Sequence, residues 1–248
     1  MTLEQFFQKN PKAAIAFSGG VDSAYLLYAA KACGADVRAY YVKTAFQPQF
    51  EYEDALKLAR QLQVSMTTIE LNVLDDGQIA ANPKNRCYYC KKKIFHAICK
   101  QALEDGYVLI LDGTNASDDR SDRPGMQALE ELKVASPLRL CGLTKDEIRK
   151  LSKKAGLFTH DKPAYACLAT RIPTGTAITP GVLEKTECSE AFLRSLGFAD
   201  FRIRLLGDSA KIQVTEHQLP LLMEHRQKIL EKLKANYTTV LLDLEVRE

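Results

Sequence analysis

The sequence has no apolar stretch that approaches the roughly 20 residues needed to span a bilayer. Its first segment, Met1 to Pro11, lacks the apolar region of a secretory signal. Neither charge sign is in large excess, because the net charge is only +3, and this balance does not point to a nucleic-acid surface beyond a local basic patch. These absences argue against a membrane-bound, secreted or strongly nucleic-acid-binding protein, and we expect a cytoplasmic one.

The chain also lacks a second C-x-x-C pair and any spaced histidine pair, either of which could complete a zinc site with the single C-x-x-C that it contains. An odd number of cysteines in a chain expected to be intracellular makes a disulfide framework a poor explanation for them. Metal or sulfur chemistry therefore gains weight as a hypothesis. The seven cysteines are Cys33, Cys87, Cys90, Cys99, Cys141, Cys167 and Cys188.

What the chain does have is the composition of a globular protein, with 248 residues, 46% of them hydrophobic and 26% charged. Its N-terminal part alternates short apolar runs with helix-like periodicity, which is typical of parallel strands joined by right-handed crossovers. Ligands of such sheets bind beyond the carboxyl ends of the strands. The predicted strands are Ala13–Phe17, Val37–Val42, Met66–Leu71 and Val108–Leu111, and the predicted helices are 22–33, 52–63 and 86–104.

The clearest motif is a Gly-rich turn between the first predicted strand and the first predicted helix. Its glycines let the backbone approach an anion, and the helix start directs N–H groups and a positive dipole end at that anion. The lysine of a Walker loop is absent, so pyrophosphate fits better than a transferable γ-phosphate. An ordinary capped turn is the alternative, but the strand-turn-helix context favours a phosphate site. The turn consists of Ser18, Gly19, Gly20, Val21, Asp22 and Ser23, whose serines add hydroxyl donors.

A second polar turn follows the predicted strand that ends at Leu111. Its position after a parallel strand predicts that it faces the same cleft as the first turn, where it would supply nucleotide contacts and bring acids near magnesium. Taken alone, it is better explained as a solvated acidic surface loop. The turn contains Asp112, Gly113, Thr114 and Asn115, followed by Asp118, Asp119, Asp122 and Arg123-Pro124-Gly125.

The pattern changes near residue 160. Before it, Val134–Leu138 is predicted as one more strand. Thr144 and Glu147 form a capping box that starts a basic helix, and this helix ends at Gly156. The lysines and arginines of the helix are most simply explained as a solvated face. Residues 158–179 are predicted as a long loop. We therefore predict domains at 1–160 and 161–248, the second a small α+β domain. Its predicted elements are a helix at 180–196, strands at 201–206 and 211–215, a helix at 218–235 and a strand at 238–245.

Cys87 and Cys90 lie three residues apart at the predicted start of a helix, close enough to share one metal. A further thiol is needed, and Cys167 in the unpatterned loop is the candidate for it. Incidental thiols are the alternative. Arg202 and Arg204 alternate with apolar residues, so on a strand both guanidinium groups project from one face, as suits a nucleotide phosphate or carboxylate. A solvated strand face explains that spacing equally well.

Together these motifs resemble those of the LarE-type ATP-dependent sulfur transferases, PP-loop superfamily members that help make the nickel-pincer nucleotide of lactate racemase. The resemblance covers nearly the whole chain, from the first predicted strand to residues 201–204. Each motif is weak alone, and the combination is specific. The motifs are SGGVDS at 18–23, Cys87-Tyr88-Tyr89-Cys90, Gly113-Thr114-Asn115, Arg123-Pro124-Gly125, ACLATRIP at 166–173 and FRIR at 201–204.

The resemblance implies a parallel-sheet, Rossmann-like ATP pyrophosphatase domain followed by a smaller α+β domain. It implies that ATP, with Mg²⁺ held in part by Asp22, adenylylates a carboxylate of a pyridinium dicarboxylate mononucleotide and releases pyrophosphate. Sulfur then attacks, AMP leaves, and a thiocarboxylate remains. Family members resemble hexamers built from dimers, so a homo-oligomer with a small-molecule nucleotide substrate is implied, without a membrane or nucleic-acid partner.

Members of this family differ in the source of the sulfur. Those with only the thiol corresponding to Cys167 give up that sulfur and retain dehydroalanine, whereas members with three thiols hold a 4Fe-4S cluster. This chain is similar to the second group, which implies a cluster on Cys87, Cys90 and Cys167 whose remaining iron binds an added sulfide. Short Cys spacing with one distant thiol suits such ligation. Whether the cluster-bound sulfide or Cys167 itself is the donor remains open.

The same resemblance favours substrate binding by Arg202 and Arg204 and adds Arg171, Thr170 and Glu190 as weaker candidates. Tyr88 and Tyr89 could stack on a pyridinium ring or simply pack. A PP-loop tRNA thiolase is an alternative, although the chain lacks an added basic RNA-binding module. A nucleotide-responsive metal-binding protein without turnover is another. It predicts nucleotide binding without AMP formation, whereas both enzyme hypotheses predict AMP and pyrophosphate.

Overall fold

The computed structural model describes residues 1–118 and 124–247. It divides into two compact units. The first comprises Met1–Val73 and Asn85–Lys162, and the second comprises Leu74–Lys84 and Pro163–Glu248. The predicted site residues Asp119, Asp122 and Arg123 lie outside the described residues. Within the described ranges, no helix combines the length and the apolar character needed to cross a membrane.

The first unit is built on a parallel sheet of four strands in the order β3-β2-β1-β4. Helices alternate with the strands along the chain, as the sequence pattern predicts, so the expected α/β class is confirmed. The elements up to residue 154 are α1 Leu3–Lys9, β1 Lys12–Ala16, α2 Val21–Ala32, β2 Asp36–Lys43, α3 Gln49–Gln61, β3 Met66–Glu70, α4 Gly77–Ala80 (in the second unit), α5 Arg86–Glu104, β4 Ile110–Leu111, α6 Pro124–Glu131, α7 Pro137–Leu140 and α8 Lys145–Lys154.

Two apolar clusters cover the faces of this sheet. Alternate residues of β1 enter different clusters, since Ile15 packs with Leu26 and Ile148 on one face while Ala14 packs with Phe95 on the other. Leu26 and Ile148 are completely buried. Burial of a side chain of this size contributes about 1.5–3 kcal/mol, so these contacts hold α2 and α8 firmly on the sheet. Both helices begin at the edge where the carboxyl ends of β1 and β4 lie side by side.

The strand predicted at Val134–Leu138 is wrong. Only Ala135 forms an isolated parallel bridge, to Leu111, and the chain then enters α7 at Pro137. Proline has no N–H to donate to a sheet and its fixed φ suits the first turn of a helix, so Pro137 ends the pairing after a single bridge. The predicted capping box is confirmed, because Thr144 and Glu147 bond reciprocally at the start of α8.

The second unit contains a sheet of three strands in the order β5-β6-β7, with β5 and β6 antiparallel and β6 and β7 parallel. Its core includes Leu193, Phe201, Ile212 and Leu233. The smaller α+β unit expected from the sequence is therefore present. The elements after residue 154 are 3₁₀ helices at Phe158–Asp161, Leu168–Arg171 and Glu216–Gln218, together with α9 Pro180–Ser195, β5 Phe201–Leu206, β6 Ser209–Val214, α10 Leu219–Glu224, α11 Arg226–Lys234 and β7 Val240–Leu242.

The single helix predicted at 218–235 is also wrong, because α10 and α11 are separated at His225. His225 has φ −95° and ψ 8°, outside helical geometry. Leu222, Ile229 and Leu233 are nevertheless all buried. The helical spacing of these apolar residues continues across the break, which is why the periodicity concealed it.

Asn82 belongs to a segment of the second unit that leaves the first unit after β3 and returns before α5. It is buried and has a positive φ of 52°. Its side-chain amide donates to the carbonyl of Pro173 at 2.9 Å, and Gly175 donates its N–H to the Asn82 carbonyl at 2.9 Å. The segment 74–84 thus forms hydrogen bonds with residues 173 and 175, which follow Cys167 in the chain. The sequence contained no signal for these contacts. The division at 160/161 into independent domains stays a prediction.

Candidate active site

The turn at 18–23 connects β1 to α2 and has a shape that requires glycine. Gly19 adopts a φ of +74°, and a methyl group there would lie 3.1 Å from the Cβ atom of Ala55. Gly20 precedes α2 and forms no side-chain cap. The first N–H groups of α2 thus receive no side-chain cap from the residue before the helix, and their binding of phosphate stays a prediction of the sequence motif.

The two serines of the turn have different positions. Ser23 is 3% exposed, and its hydroxyl donates to the Gly20 carbonyl at 3.2 Å and accepts from the Ser18 N–H at 3.3 Å. The hydroxyls of Ser18 and Ser23 lie 3.1 Å apart. Ser18 itself is exposed. Ser23 therefore holds the shape of the loop, and Ser18 remains accessible to a ligand.

The second turn packs directly against the first. A methyl group on Gly113 would lie 2.8 Å from the backbone nitrogen of Ser23, a distance that real Cβ atoms do not reach. This close approach allows the side-chain amide of Asn115 to donate to Asp22 Oδ1 at 3.3 Å. Asn115 is 2% exposed, and its N–H is bonded to the carboxylate of Asp118 at 3.0 Å. The predicted convergence of the two strand ends is thus observed.

Asp112 has both carboxylate oxygens occupied by neighbouring hydroxyls. Thr114 donates to Oδ2 at 2.5 Å, and Ser136 donates to Oδ1 at 2.6 Å. Asp112 and Thr114 are both buried, and a buried carboxylate with both oxygens satisfied is a structural anchor for the turn. Asp112 is therefore less suited to hold a metal than Asp22, which is more exposed.

Lys145 is a site residue that the sequence analysis missed. Its ammonium lies 2.6 Å from Asp22 Oδ2, across 123 positions of the chain. The prediction that the cations of this helix form only a solvated face is wrong for Lys145. No local signal marks it, since its contact with Asp22 depends on how α8 packs against α2.

Cys87 and Cys90 lie in the first turn of α5, with Cys87 exposed and Cys90 buried. None of the seven cysteines, all of which the structure describes, is in a disulfide. Among the residues that the structure describes, no group of three or more His, Cys, Asp or Glu side chains could hold a metal ion. Cys87 and Cys90 belong to the first unit and Cys167 to the second. The paired thiols therefore lie at a helix start as predicted.

Tyr88 packs by its hydroxyl as well as by its ring. The hydroxyl donates to the carboxylate of Glu131 at 2.8 Å and accepts from Lys92 at 3.2 Å. Its ring meets that of Tyr89 edge to face, with centroids 5.3 Å apart. These contacts connect α5 with α6 and give Tyr88 a structural role in the first unit.

A buried ion pair supports the segment around Cys167 in the second unit. Arg171 and Glu190 are 2% and 1% exposed, and their side chains form paired hydrogen bonds at 2.7 and 3.2 Å. Tyr165 donates its hydroxyl to Glu190, and burial together with that carboxylate raises the pKa of Tyr165. Burial opposes the charge of Arg171, but the hydrogen bonds that Arg171 donates to Glu190, together with the charge of that carboxylate, prevail and raise the pKa of Arg171.

The same pair orders the backbone on both sides of Cys167. Arg171 donates to the carbonyl of Ala166 at 3.0 Å and to the hydroxyl of Thr170 at 2.8 Å. The Thr170 hydroxyl in turn donates to the Cys167 carbonyl at 2.8 Å. Cys167 directly precedes a 3₁₀ helix and is partly exposed. The segment is therefore held at the residues before and after the thiol.

Arg202 and Arg204 lie on one face of β5, as the alternation predicts. Arg202 is 5% exposed and donates to the carbonyls of Ala164 and Phe201. Burial, followed by the charges of Arg171 and Arg247, lowers the pKa of Arg202 to about 10, so the group stays charged at neutral pH. Burial and Arg171 also lower the pKa of Arg204. Arg204 donates to Gln213 at 2.5 Å and to the Thr170 carbonyl at 3.0 Å.

Cations outnumber carboxylates in this part of the second unit, and an unneutralised positive potential favours an anionic ligand. The cations are Arg171, Arg202, Arg204, Lys211 and Arg247, and the carboxylates paired with them are Glu190, Asp200 and Asp243. The predicted substrate residues thus lie together in one unit, where burial and then the charges of Arg171 and Arg247 lower the pKa of Arg202.

Comparisons with known proteins cover most of the chain. The family model described as queuosine biosynthesis protein QueC matches residues 12–87. An uncharacterized protein of Synechocystis sp. is 36% identical over 221 residues, covering 88% of this chain and 81% of that protein. The pyridinium-3,5-bisthiocarboxylic acid mononucleotide synthase of Lactiplantibacillus plantarum is 30% identical over 233 residues, covering 93% of this chain and 84% of that enzyme.

A more limited similarity extends to enzymes that modify tRNA. A tRNA-specific 2-thiouridylase of Clostridium botulinum is 29% identical over 181 residues. The match covers 60% of this chain and 51% of that enzyme. The similarity to the mononucleotide synthase therefore extends over much more of both sequences than the similarity to the thiouridylase.

Proposed function

Because the chain belongs to the family of the pyridinium-3,5-bisthiocarboxylic acid mononucleotide synthase, we propose that it is an ATP-dependent sulfur transferase of nickel-pincer nucleotide biosynthesis. The membership that its motifs predict is confirmed by the identity and coverage of that relative. The proposed reaction adenylylates a carboxylate of a pyridinium dicarboxylate mononucleotide and converts it to a thiocarboxylate. AMP and pyrophosphate are the other products.

The observation that carries the nucleotide part of the proposal is the convergence of two strand-end turns on Asp22. Asn115 reaches Asp22 from the second turn, and Gly19 shapes a loop that leaves helix N–H groups for phosphate. Mg²⁺ is held in such sites by one or two carboxylates together with phosphate oxygens, whose charge it neutralises. Asp22 fits that requirement. We propose Ser18 to Ser23 and Gly113 to Asn115 as the ATP-binding residues.

The proposed chemistry needs no oxidant or reductant. A carboxylate oxygen of the substrate attacks the α-phosphorus of ATP, and the bond from that phosphorus to the bridging oxygen of the β-phosphate breaks. The products are an acyl adenylate and pyrophosphate. A sulfur nucleophile at the sulfide level then attacks the acyl carbon, and AMP departs with the former carboxylate oxygen. The N–H groups at the start of α2 would stabilise the charge that develops on the departing pyrophosphate.

The substrate anion is assigned to the arginine face of β5. Arg202 is buried with a lowered pKa, and the surrounding cations exceed the carboxylates, so a phosphate or carboxylate would relieve that charge. Arg204 has the same support from its own lowered pKa. Arg171, Thr170 and Glu190 are proposed for this site in a supporting position, since their contacts hold the segment around Cys167.

The source of sulfur is proposed from the cysteine pattern. Thiolates are the ligands that iron–sulfur clusters prefer, and Cys87 and Cys90 supply two of them from one helix turn. The described residues contain no complete metal-ligand group. We propose a 4Fe-4S cluster on Cys87, Cys90 and Cys167 with an added sulfide. A homo-oligomer in the cytoplasm is proposed from the same family resemblance.

A cysteine series tests this source of sulfur. After anaerobic purification, each of Cys87→Ser, Cys90→Ser and Cys167→Ser should lose bound iron and sulfide, because a hydroxyl is a poor ligand for this iron. Cys188→Ser is the matched control, since Cys188 is exposed on α9 and should not affect iron content. Intact mass after turnover should be unchanged. A loss of about 34 Da at Cys167 would instead identify the thiol as the donor by elimination of hydrogen sulfide.

The proposed function is tested by following ATP, AMP and pyrophosphate with and without the dicarboxylate mononucleotide. AMP, pyrophosphate and thiocarboxylate should appear together, and Asp22→Ala should abolish all three. ATP binding without AMP would support a nucleotide-responsive binding protein. AMP formation that requires tRNA would support the thiolase alternative. The similarity to the Clostridium botulinum enzyme is the observation that favours this alternative.

A further inference from the structure

Tyr165 lies two residues before Cys167, among the arginines of the second unit. The Cζ atoms of Arg171, Arg202 and Arg194 lie 4.6, 5.1 and 5.7 Å from the centroid of its ring. The quadrupole of an aromatic ring attracts a cation within about 6 Å of the centroid, although the ring carries no formal charge. The ring of Tyr165 therefore holds three cations and neutralises none of them.

The backbone on both sides of Tyr165 accepts hydrogen bonds from two of these arginines. Arg202 donates to the carbonyl of Ala164, and Arg171 donates to the carbonyl of Ala166 at 3.0 Å. Both carbonyls are neutral acceptors. Because the residue before Tyr165 and the residue after it are each bonded to a guanidinium group, the chain fixes the ring in position relative to both arginines.

Glu190 supplies a carboxylate to this cluster, and both of its oxygens are occupied. Oε1 accepts from Arg171 Nε at 2.7 Å and from the Ile203 N–H at 3.0 Å. Oε2 accepts from the Tyr165 hydroxyl at 2.5 Å and from Arg171 at 3.2 Å. The charge of Glu190 is thereby committed to Arg171.

Arg202 is held mainly by acceptors that carry no full charge. These acceptors are the carbonyls of Ala164 and Phe201 and the ring of Tyr165. The carboxylate of Asp200 lies 3.3 Å from Arg202, and the same oxygen lies 3.0 Å from Arg247, so two cations share it. A cation held by neutral acceptors keeps its attraction for an anionic ligand, whereas a carboxylate of its own would cancel much of that attraction.

We infer that Tyr165 is a specificity-determining residue of the second unit: its ring orients Arg202 without neutralising it, so that the site distinguishes a phosphorylated ligand from the same ligand without phosphate. Tyr165 acts through the arginine and is therefore a positioning residue. The inference rests on the proposed function for the identity of the ligand, a pyridinium dicarboxylate mononucleotide. It assigns the effect to the ring rather than to the hydroxyl.

Tyr165→Leu and Tyr165→Phe test this assignment in the full-length protein. Titration calorimetry compares binding of the mononucleotide with binding of the nucleoside that lacks its phosphate. The ratio of the two affinities should fall about tenfold or more in Tyr165→Leu, the effect of losing a desolvated cation–π contact. In Tyr165→Phe the ratio should stay within about twofold of the wild type, because phenylalanine keeps the ring. A merely structural role would weaken binding of both ligands together and leave the ratio unchanged.

Tyr237→Leu is the matched control. Tyr237 is a buried tyrosine of the same unit, and the ammonium of Lys185 lies 4.1 Å from its ring centroid. This control should keep the wild-type ratio. If Tyr165→Leu fails to fold, Tyr165→Met is measured in its place.

The outcomes separate the inference from the proposed function. An unchanged ratio in the variant without the ring would overturn the inference even if AMP forms from ATP and substrate, and so would an equal loss in Tyr165→Phe or in the control. A ratio that falls only when the Tyr165 ring is removed, in a protein that forms no AMP, would leave the inference standing and remove the proposed function.

Discussion

Gly113 lies closer to the backbone of α2 than any residue with a side chain could. A methyl group there would lie 2.8 Å from the Ser23 nitrogen, and backbone atoms cannot yield as a flexible side chain can. We expect Gly113→Ala to destabilise the protein by about 1–3 kcal/mol, the usual cost of overpacking, and to weaken ATP binding. Gly181→Ala is the control, because nothing lies within 4 Å of its added methyl group. Urea unfolding should separate the two, and equal stability would mean that the turns can move apart freely.

Arg202 and Arg204 are expected to bind the substrate anion without affecting ATP. Each charged hydrogen bond lost typically costs about 1.5–3 kcal/mol, so Arg202→Ala and Arg204→Ala should each weaken substrate binding about tenfold or more. The affinity for ATP should not change. Arg226→Ala, which removes an exposed arginine of α11, is the matched control. Calorimetry measures the affinity of each variant for the substrate. If both variants bind substrate as tightly as the control does, these arginines have a structural role only.

Glu190 is expected to act on stability through Arg171. Glu190→Gln leaves a guanidinium buried without a countercharge, and breaking a buried pair in this way costs about 3–5 kcal/mol. The double variant Glu190→Gln with Arg171→Met should be less destabilised than the sum of the two single changes, because the unpaired charge is gone. Chemical unfolding of the four proteins measures this coupling. Additive losses would show that the pair does not support the Cys167 segment as a unit.

At the scale of the elements, local signals predicted most of the first unit. The strands are short apolar runs, the helix at Arg86–Glu104 matches its prediction, and the capping box at Thr144 starts α8 as expected. The errors have specific causes. Pro137 converts a strand-like run into a helix start, and the apolar spacing across His225 hides a break.

Some residues of the candidate site could also be predicted from local signals, and others could not. The loop at 18–23 and the turn at 112–115 follow from the rule that parallel strands present their carboxyl ends at one edge. Lys145 and Asn82 could not be found by any such rule, because the side chain of each bonds to residues that are ninety or more positions away. The sequence around a lone polar residue does not show whether its side chain faces solvent or a partner residue.

At the scale of the whole molecule, Asn82 is expected to stabilise the second unit although it is distant in sequence from most of that unit. Asn82→Ala removes two side-chain hydrogen bonds to residues 172 and 173 and places alanine at a φ of 52°. We expect a loss of about 1–3 kcal/mol. Asn82→Gly removes the same bonds without the backbone strain, so it should lose less. Thermal unfolding of the wild type and the two variants measures these losses. Equal stability of the wild type and Asn82→Ala would contradict the stabilising role of the Asn82 hydrogen bonds.

The segment 74–84 also sets an order of events during synthesis. Its partners at 172–178 leave the ribosome only after the whole of the first unit, which ends at residue 162, at roughly 5–20 residues per second. The hydrogen-bonding groups of residues 80 and 82 are therefore synthesised several seconds before their partners. A chain arrested after residue 162 would keep that segment exposed to proteases and chaperones, so cleavage at 74–84 would report, in a translating cell, whether the C-terminal half has arrived.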